Sequence, residues 1–287
     1  MSEFSDVPRS GGTVCLTFDF DAVSLWMARG MTSPGPMSRG EFGAHAVPRI
    51  LRLLESRSLP STWFVPGHTA DTYPMLCRDI ANAGHEIGLH GYAHEPVSAL
   101  DAAGEREVVA RSMDTLCKLT GLAPIGNRTP SWDFTESTVD LLVEFGIEYD
   151  SSLMKTDYTP YFARTGDEAP PDGPYRFGEP SPLVELPVSW TLDDYPHFEY
   201  LRLPGLLMPG LRKPREVFEN FLDDVRYMLR EQPGGVCVIT FHPQVIGRGH
   251  RMLGLEWFLD RLAELDVSYA TCADVARDFR RAHEVAA

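Results

Sequence analysis

The sequence predicts an α/β fold, a distorted (β/α) barrel of about seven parallel strands. Two patterns favour this fold. Short apolar runs alternate with longer runs of helical periodicity, which is typical of parallel strands buried on both faces. Asp19, His90 and His242 each follow directly after an apolar run, as catalytic residues do at the carboxyl ends of barrel strands. A length of 287 residues suits one such domain, which we place at 1–287.

The first half of the chain alternates between the two kinds of element. Apolar and β-branched runs predict strands at 13–18, 61–65, 86–89, 125–128 and 147–149. Apolar residues three or four positions apart predict helices at 47–54, at about 72–83, from 109 to a stop at Gly121, and from a Thr135 cap to Gly146. Residues 22–43 are rich in Ser, Gly, Pro and Met, so we expect a long irregular excursion there.

The second half opens with a long stretch without periodicity. Residues 155–182 contain six prolines, and loops of that length inside a compact chain are usually functional or mobile. Further on, the pattern predicts strands at 183–190, 236–241 and 267–270 and helices at 255–262 and 273–282. Pro214 is well placed at the first position of a strongly amphipathic helix.

Composition excludes several classes of function. The net charge of -15 argues against a nucleic-acid partner and against binding to an anionic membrane surface. No apolar run reaches the length of a membrane helix. The five dispersed cysteines lack a C-x-x-C pair, which favours buried core residues in a reducing compartment. Because residues 1–12 are polar and lack a signal-peptide core, we expect a cytoplasmic protein.

His90 and His94 form the most informative pair in the chain. On a helical turn this spacing would put both imidazoles on one face. Two neutral imidazoles and one carboxylate are a common hydrolytic zinc set, with a further coordination position left for water. The pair therefore predicts a site for zinc or another divalent transition metal.

Asp19 and Asp21 follow a buried strand, where two acids are costly unless they have a use. The alternative is a turn or a helix cap, for which Asp is common. Together with the histidine pair, the acids can divide the work: one binds the metal, and the other stays free as a base.

His242 follows the most apolar predicted strand. A lone histidine is more often a satisfied core residue, but a strand-end position favours an acid that protonates a leaving amine. Asp193 or Asp194 could hold its imidazole in one tautomer.

An arginine and three aromatic residues lie near the same strand ends. Arg128 could pair with a free aspartate, or form a surface salt bridge of little energy. Tyr92, Trp132 and Trp190 could line a substrate pocket, although a plain core role is equally consistent with the sequence.

Five short motifs in order resemble those of the polysaccharide deacetylase family, the NodB-homology carbohydrate esterases of family 4. They are Thr17-Phe18-Asp19-Phe20-Asp21 (similar to TFDDG), His90-Gly91-Tyr92-Ala93-His94 (H-x-x-x-H), Arg128-Thr129-Pro130 (R-x-P), Asp193-Asp194-Tyr195 (Asp-Trp) and Phe241-His242-Pro243 (the final histidine). The resemblance implies a distorted (β/α) barrel and a zinc or similar divalent ion. The implied roles are Asp19 as base, Asp21, His90 and His94 as metal ligands, Arg128 as the group that tunes Asp19, and His242 as acid oriented by Asp194.

Two departures resemble a cytosolic subgroup of that family, which contains peptidoglycan-deacetylase-like proteins, allantoinases of the same fold and cyclic imide hydrolases. They are the Asp-Phe-Asp spacing and the long segments 22–43 and 155–212, which we expect to act as a lid. The resemblance implies a homo-oligomer, a tetramer, with a small closed pocket.

The function expected from these residues is metal-dependent hydrolysis of a non-peptide carbon–nitrogen bond. The substrate would be an N-acetylated sugar or a small cyclic imide or ureide. The alternative is a catalytically silent binding protein on the same scaffold, against which the full set of acids and histidines speaks.

Overall fold

A curled, mostly parallel sheet forms the centre of the computed structural model, which describes residues 11–203 and 205–284. The strands are β1 (Gly12–Asp19), β2 (Thr62–Val65), β3 (Glu86–Leu89), β4 (Gly126–Asn127), β5 (Tyr149–Asp150), β6 (Tyr161–Thr165), β7 (Glu179–Glu185), β8 (Leu201–Leu203), β9 (Leu206–Met208), β10 (Val236–Phe241) and β11 (Val267–Tyr269). The main sheet has the order β10-β1-β2-β3-β4-β5-β7-β6, with β11 also paired to β1, while β8 and β9 form a separate hairpin.

Helices connect most of these strands along the chain and pack on the sheet. They are α1 (Ser24–Ala28), α2 (Pro34–Ser56), α3 (Gly67–Thr72), α4 (Pro74–Asn82), α5 (Ala102–Thr120), α6 (Thr138–Glu144), α7 (Asp194–Phe198), α8 (Pro214–Glu231), α9 (Pro243–Ile246), α10 (Gly249–Leu262) and α11 (Cys272–Glu284). None of the helices in the described ranges is long and apolar enough to cross a membrane.

The predicted fold class is confirmed. Seven strands of the main path run parallel, and β6 alone on that path pairs antiparallel, with β7. A single parallel bridge between Asp193 and Thr240 joins the segment after β7 to β10, so the sheet curls towards itself as a half-barrel. The short parallel strands read as apolar runs because helices cover both faces.

β1 shows why residues far apart in sequence meet. All eight of its residues are buried, and it pairs with β10 along one side and with β2 at its carboxyl end. Phe18 stacks on Trp63 of β2 with ring centroids 4.6 Å apart, which fixes the two strands side by side. The carboxyl ends of β1, β3, β4 and β10 therefore lie at one edge of the sheet.

The excursion expected at 22–43 is wrong in part, because α1 lies inside it and α2 begins at Pro34. The glycines that suggested a loop serve close packing instead. A Cβ added at Gly40 would lie 2.5 Å from the carbonyl oxygen of Ala22, so only glycine lets α2 approach that backbone. Tertiary packing thus overrides the weak helix propensity of this composition.

The long loop expected at 155–182 is also wrong in part. β6 and β7 form an antiparallel hairpin there, and β7 ends at Glu185 rather than at residue 190. Smaller differences concern helix limits: the helix expected at about 72–83 is α4, which begins at Pro74 after the separate short helix α3, and α6 begins at Thr138 without Thr135 as its cap. Short strands interrupted by proline carry too little periodicity to be recognised.

Candidate active site

Asp21, His90 and His94 come together as a buried cluster, which we call the ligand cluster. Asp21 Oδ1 lies 3.4 Å from His90 Nε2 and 3.8 Å from His94 Nε2. One ligand atom from each residue lies within 4.8 Å of the other two, a spacing that one metal ion can span. The structure therefore brings together the three residues that the sequence suggested as ligands.

A tight loop, not the helical turn expected from the spacing, positions the two imidazoles. His90 follows β3, and both Gly91 and His94 have positive φ, +66° and +60°. Glu95 closes this loop, because its carboxylate accepts the backbone N–H groups of Tyr92 and Ala93 at 3.0 and 2.9 Å. The imidazole rings lie 5.2 Å apart and nearly perpendicular.

The donor atoms of the ligand cluster fit a divalent transition metal. His90 Nδ1 lies 2.7 Å from the carbonyl oxygen of Arg128, and donation to it leaves the Nε2 lone pair free towards Asp21. Asp21 Oδ1 is buried and has no hydrogen-bond donor in the described part of the chain. Gln244 Nε2 donates to the other oxygen, Oδ2, at 3.0 Å. A buried carboxylate oxygen of this kind needs a partner, and a cation would supply one.

The charges in the ligand cluster also suit a cation. Burial opposes ionisation of Asp21, but the imidazoles of His94, His90 and His242 lower its pKa below the ordinary value. Burial lowers the pKa of His94 to about 4, so this imidazole is neutral. Burial also acts to lower the pKa of His90, but the charges of Asp19 and Asp21 outweigh it and the pKa lies above its ordinary value. A cation bound there would therefore displace a proton.

Asp19 lies beside the ligand cluster and is held by a buried arginine. Its Oδ1 accepts from Arg128 Nη1 at 2.9 Å, and its Oδ2 lies 3.9 Å from His90 Nε2. Arg128 is fully buried and also donates to Thr17 Oγ1 and to the carbonyl and hydroxyl oxygens of Ser151. The guanidinium thus fixes one carboxylate oxygen of Asp19 and leaves the other facing the cluster.

His242 faces Asp19 from the end of β10. Its Nε2 lies 3.8 Å from Asp19 Oδ2, while its Nδ1 hydrogen-bonds Asp194 Oδ1 at 2.8 Å. Burial lowers the pKa of His242, but Asp193 and Asp194 raise it well above the ordinary value. The structure thus places Asp194 at the atom that fixes the imidazole tautomer and favours the charged form.

A cavity of about 270 Å³ opens onto these groups. Trp132 and Trp190 both line it, and their rings lie 4.2 Å apart. Tyr92 does not line this cavity, so the pocket role expected from the sequence is wrong for this residue. Its hydroxyl donates to Asp71 and accepts from Arg111, at 2.8 Å in each case, because the loop turns this side chain towards α3 and α5.

The two long segments supply half of the fourteen residues that line the cavity. Leu25 and Arg29 come from the first segment, and the second contributes Trp190, Asp193, Tyr195, Pro196 and Met208. Sequence reasoning missed Leu25, Arg29 and Met208, which lie in no motif. Tyr195 belongs to the Asp193-Asp194-Tyr195 motif, although sequence reasoning assigned it no role in the pocket, and Gln244 lies two residues after His242. For both residues the available signal was their position in or beside a motif.

Backbone strain concentrates at this site. Six non-glycine residues in the described ranges have positive φ, and four of them are Ala22, His94, Ser131 and Trp132. Each lies in or directly after a segment that carries a ligand or catalytic candidate. Such conformations cost of order 1–3 kcal/mol each and persist where the surrounding structure fixes them.

Comparison with known proteins shows which family the chain belongs to. Residues 6–149 match the family model described as polysaccharide deacetylase. The chain is 35% identical to a peptidoglycan deacetylase of Helicobacter pylori, over 91% of this chain and 94% of the relative. The fold, the site and these relatives define a hydrolase that acts on carbon–nitrogen bonds other than peptide bonds. The chain belongs to the polysaccharide deacetylase family.

Solved structures confirm the fold. A polysaccharide deacetylase candidate from Mycobacterium smegmatis superposes with a TM-score of 0.82 at 33% identity, covering 98% of this chain and 94% of the other. The PuuE allantoinase superposes with a TM-score of 0.77 at 21% identity, covering 96% and 93%. At that identity the second likeness shows a shared fold alone.

Proposed function

We propose that the protein is a metal-dependent hydrolase of small amides, with an N-acetylated sugar or a small cyclic imide or ureide as substrate. The observation that supports this most is Asp21 Oδ1, which faces two imidazoles and has no hydrogen-bond donor in the described part of the chain. Asp19 Oδ2 lies 3.9 Å from His90 Nε2, and His242 Nε2 lies 3.9 Å from Asp21 Oδ2. Asp21, His90 and His94 would hold the metal, and a set of two nitrogens and one oxygen favours zinc. Bound there, a divalent ion would polarise the amide carbonyl and lower the pKa of water.

Asp19 is proposed as the general base. Arg128 occupies Oδ1, so Oδ2 is the oxygen that can take a proton from an attacking water. The guanidinium of Arg128 is fully buried and keeps Asp19 Oδ2 in one position. Proton transfer requires a base held at hydrogen-bond distance in this way.

His242 is proposed as the general acid. The nearby Asp193 and Asp194 favour its imidazolium, and Nε2 faces Asp19 across the site. Both groups line the same cavity, so each can reach the reacting atoms of an amide bound there. His242 would give its proton to the departing nitrogen, and Asp194 Oδ1 would stabilise the charge during transfer.

Cavity size favours a small substrate over a polymer. A volume of about 270 Å³ is just below the range of roughly 300–1,000 Å³ typical of small-molecule sites. The long segments that line half of it support the expected lid. Assembly as a homo-oligomer, a tetramer by resemblance, and cytoplasmic location stay predictions; light scattering and cell fractionation test them.

The test combines metal analysis with a substrate panel. The purified protein is assayed on N-acetylglucosamine, its tetramer, succinimide and allantoin, before and after chelation, beside Asp19→Asn. We expect about one metal per chain and turnover of at least one small amide. Because Asn cannot accept the proton, Asp19→Asn should keep the metal and lower kcat by about 10²–10⁴-fold.

Two outcomes would contradict the proposal. Undiminished activity after chelation would exclude a catalytic metal. A protein without metal and without turnover on the whole panel would favour the binding role instead. Preference for the tetramer over the single sugar would overturn the small-substrate part alone.

A further inference from the structure

Arg29 places a positive charge on the cavity that the proposed catalytic groups do not use. It follows α1 as the C-terminal cap and lines the cavity beside Leu25. Its Nη1 donates to the hydroxyl of Tyr195 at 2.6 Å. Its guanidinium carbon also lies 5.6 Å from the ring centre of Trp26 and 5.4 Å from that of Tyr195. These contacts hold the guanidinium in place before any ligand arrives.

The guanidinium of Arg29 has no acidic partner in the described ranges. Arg128 pairs with Asp19, and Arg39, which packs on the same Trp26 ring, pairs with Glu199. Arg29 has no such ion pair, although a guanidinium carries five N–H donors and keeps its charge at every relevant pH. A half-buried, pre-oriented arginine with spare donors is the arrangement that proteins use to bind carboxylates.

The acids of the cavity already have other partners. Asp19 is bound by Arg128, Asp21 faces the imidazoles and Gln244, and Asp193 accepts the backbone N–H of Tyr195. Arg29 lines the same cavity as these groups. Arg29 is therefore close to the site without being neutralised by it.

The position of Arg29 indicates which half of the substrate it would contact. The ring of Tyr195, which accepts from Arg29, lies 5.2 Å from the ring of His242 in an edge-to-face arrangement. His242 is the proposed donor to the departing nitrogen. Arg29 is thus on the leaving-group side of the cavity, where the amine half of a substrate would lie.

We propose that Arg29, positioned by Tyr195, binds a carboxylate on the amine half of the substrate, so that the preferred substrates are anionic amides. This inference rests on the proposed function and deepens it. Two kinds of compound present that chemistry: an acetamido sugar that carries an acidic side chain, and an N-acetyl amino acid. In both, hydrolysis would release acetate and leave the carboxylate on the amine product.

The experiment compares acids with their uncharged esters on the metal-loaded protein. The probes are N-acetylmuramic acid and its methyl ester, and N-acetyl-L-alanine and its methyl ester. Amine release is measured for the wild type, Arg29→Gln, Arg29→Lys and, as the matched control, Arg39→Gln. The two acids separate the two sources of the carboxylate, because only the preferred source should show a large difference between acid and ester.

We expect the wild type to favour one acid over its ester by about 10–100-fold in kcat/KM, the range for a hydrogen bond to a charged group. Arg29→Gln should remove that preference, because kcat/KM should fall far more for the acid than for its ester, mainly through a higher KM for the acid. Arg29→Lys should restore part of it, and Arg39→Gln should retain it. Equal treatment of acid and ester by the wild type, or equal loss on both in Arg29→Gln, would overturn the inference.

A binding measurement separates this inference from the proposed function. Tryptophan fluorescence is titrated with each acid and ester, since Trp190 lines the cavity. Arg29-dependent binding of an acid without turnover would leave the anion site standing and count against the hydrolase. Turnover of neutral amides without any acid preference would leave the hydrolase standing and count against the anion site.

Discussion

Two buried clusters of aspartate and histidine lie side by side in this protein, and both have the spacing of a metal site. The ligand cluster is Asp21, His90 and His94. The second, which we call the acid cluster, is Asp193, Asp194 and His242. The same two residue types occur in opposite proportions: one carboxylate with two imidazoles, and two carboxylates with one imidazole.

Distances show how each cluster balances its charge. In the acid cluster, His242 Nδ1 meets Asp194 Oδ1 at 2.8 Å, a direct charge-assisted hydrogen bond. Burial also raises the pKa of Asp193 to about 7, so protons are retained there. In the ligand cluster, Asp21 Oδ1 lies 3.4 and 3.8 Å from the two imidazole Nε2 atoms, which is too long for good hydrogen bonds. This oxygen has no hydrogen-bond donor in the described part of the chain. The difference supports the proposal that a metal ion balances the charge of the ligand cluster, whereas protons balance the charge of the acid cluster.

The largest expected effect comes from the same substitution in both clusters. Asp21→Asn should lose the bound metal and lower kcat/KM by roughly a thousandfold or more, because the chemistry that the metal supplies is lost with it. Asp194→Asn should keep the metal and lower kcat by about 10²-fold, because the imidazolium of His242 loses its partner. Metal content by mass spectrometry and steady-state kinetics measure both effects.

Each variant serves as the other's control for loss of a buried negative charge. An exposed histidine on α10, His250, gives a further control, since His250→Ala should change neither metal content nor rate. Equal metal loss in Asp21→Asn and Asp194→Asn would break the distinction between the clusters. Retention of metal by Asp21→Asn would remove the ligand cluster from the proposal.

A smaller effect is expected at Gln244, which donates to Asp21 Oδ2 at 3.0 Å and touches no other group of the cluster through a hydrogen bond. Partners behind a metal ligand are typically worth about 10–100-fold in metal affinity or activity. Gln244→Met keeps the side-chain length and removes the donor, so metal affinity should fall by that amount while the fold is retained. Competition with a chromogenic chelator measures the affinity. Unchanged affinity would show that Asp21 is held by other contacts alone.

The sequence was sufficient to predict which strand ends meet. Asp19 is the last residue of its strand, and His90, Arg128 and His242 each directly follow one. Parallel strands bring their carboxyl ends to one edge whatever the loops do. This outcome depends on the apolar pattern of the strands and on little else. The meeting of these strand ends is therefore the part of the site that a single sequence can reveal.

Side-chain direction within loops could not be predicted from the sequence. Tyr92 stands between two ligand candidates, yet positive φ angles at Gly91 and His94 turn it away from the cavity. Arg29 and Met208 enter the cavity from segments whose Ser, Gly and Pro content indicated only irregular chain. Their placement depends on how α1 and the β8–β9 hairpin pack, which is a tertiary effect without a local pattern.

The smallest effect concerns a buried acid pair without a histidine, Asp150 and Glu185, which extends the comparison. Burial raises the pKa of Asp150 to about 6, and burial with the charge of Asp150 raises that of Glu185 well above its ordinary value. Asp150 Oδ2 and Glu185 Oε2 have no hydrogen-bond donor among the residues that the structure describes, so one proton shared between them would satisfy both. No imidazole belongs to this pair, and the charge of Arg128 offsets only part of the effect of burial on the pKa of Asp150, so a shared proton balances the rest.

The sign of the pH effect follows from these raised pKa values. The folded chain binds more protons than the unfolded chain, so stability from this pair is fully present below about pH 4 and is lost as pH rises through the folded-state pKa values. In Glu185→Gln the amide can donate to Asp150 in place of the shared proton. Between pH 5 and 8 this variant should lose less unfolding free energy than the wild type, by on the order of 1–2 kcal/mol. Urea unfolding across that pH range measures the unfolding free energy, and Glu179→Gln, an exposed position on the same strand, is the control. If the unfolding free energies of all three proteins change in parallel with pH, no proton is shared.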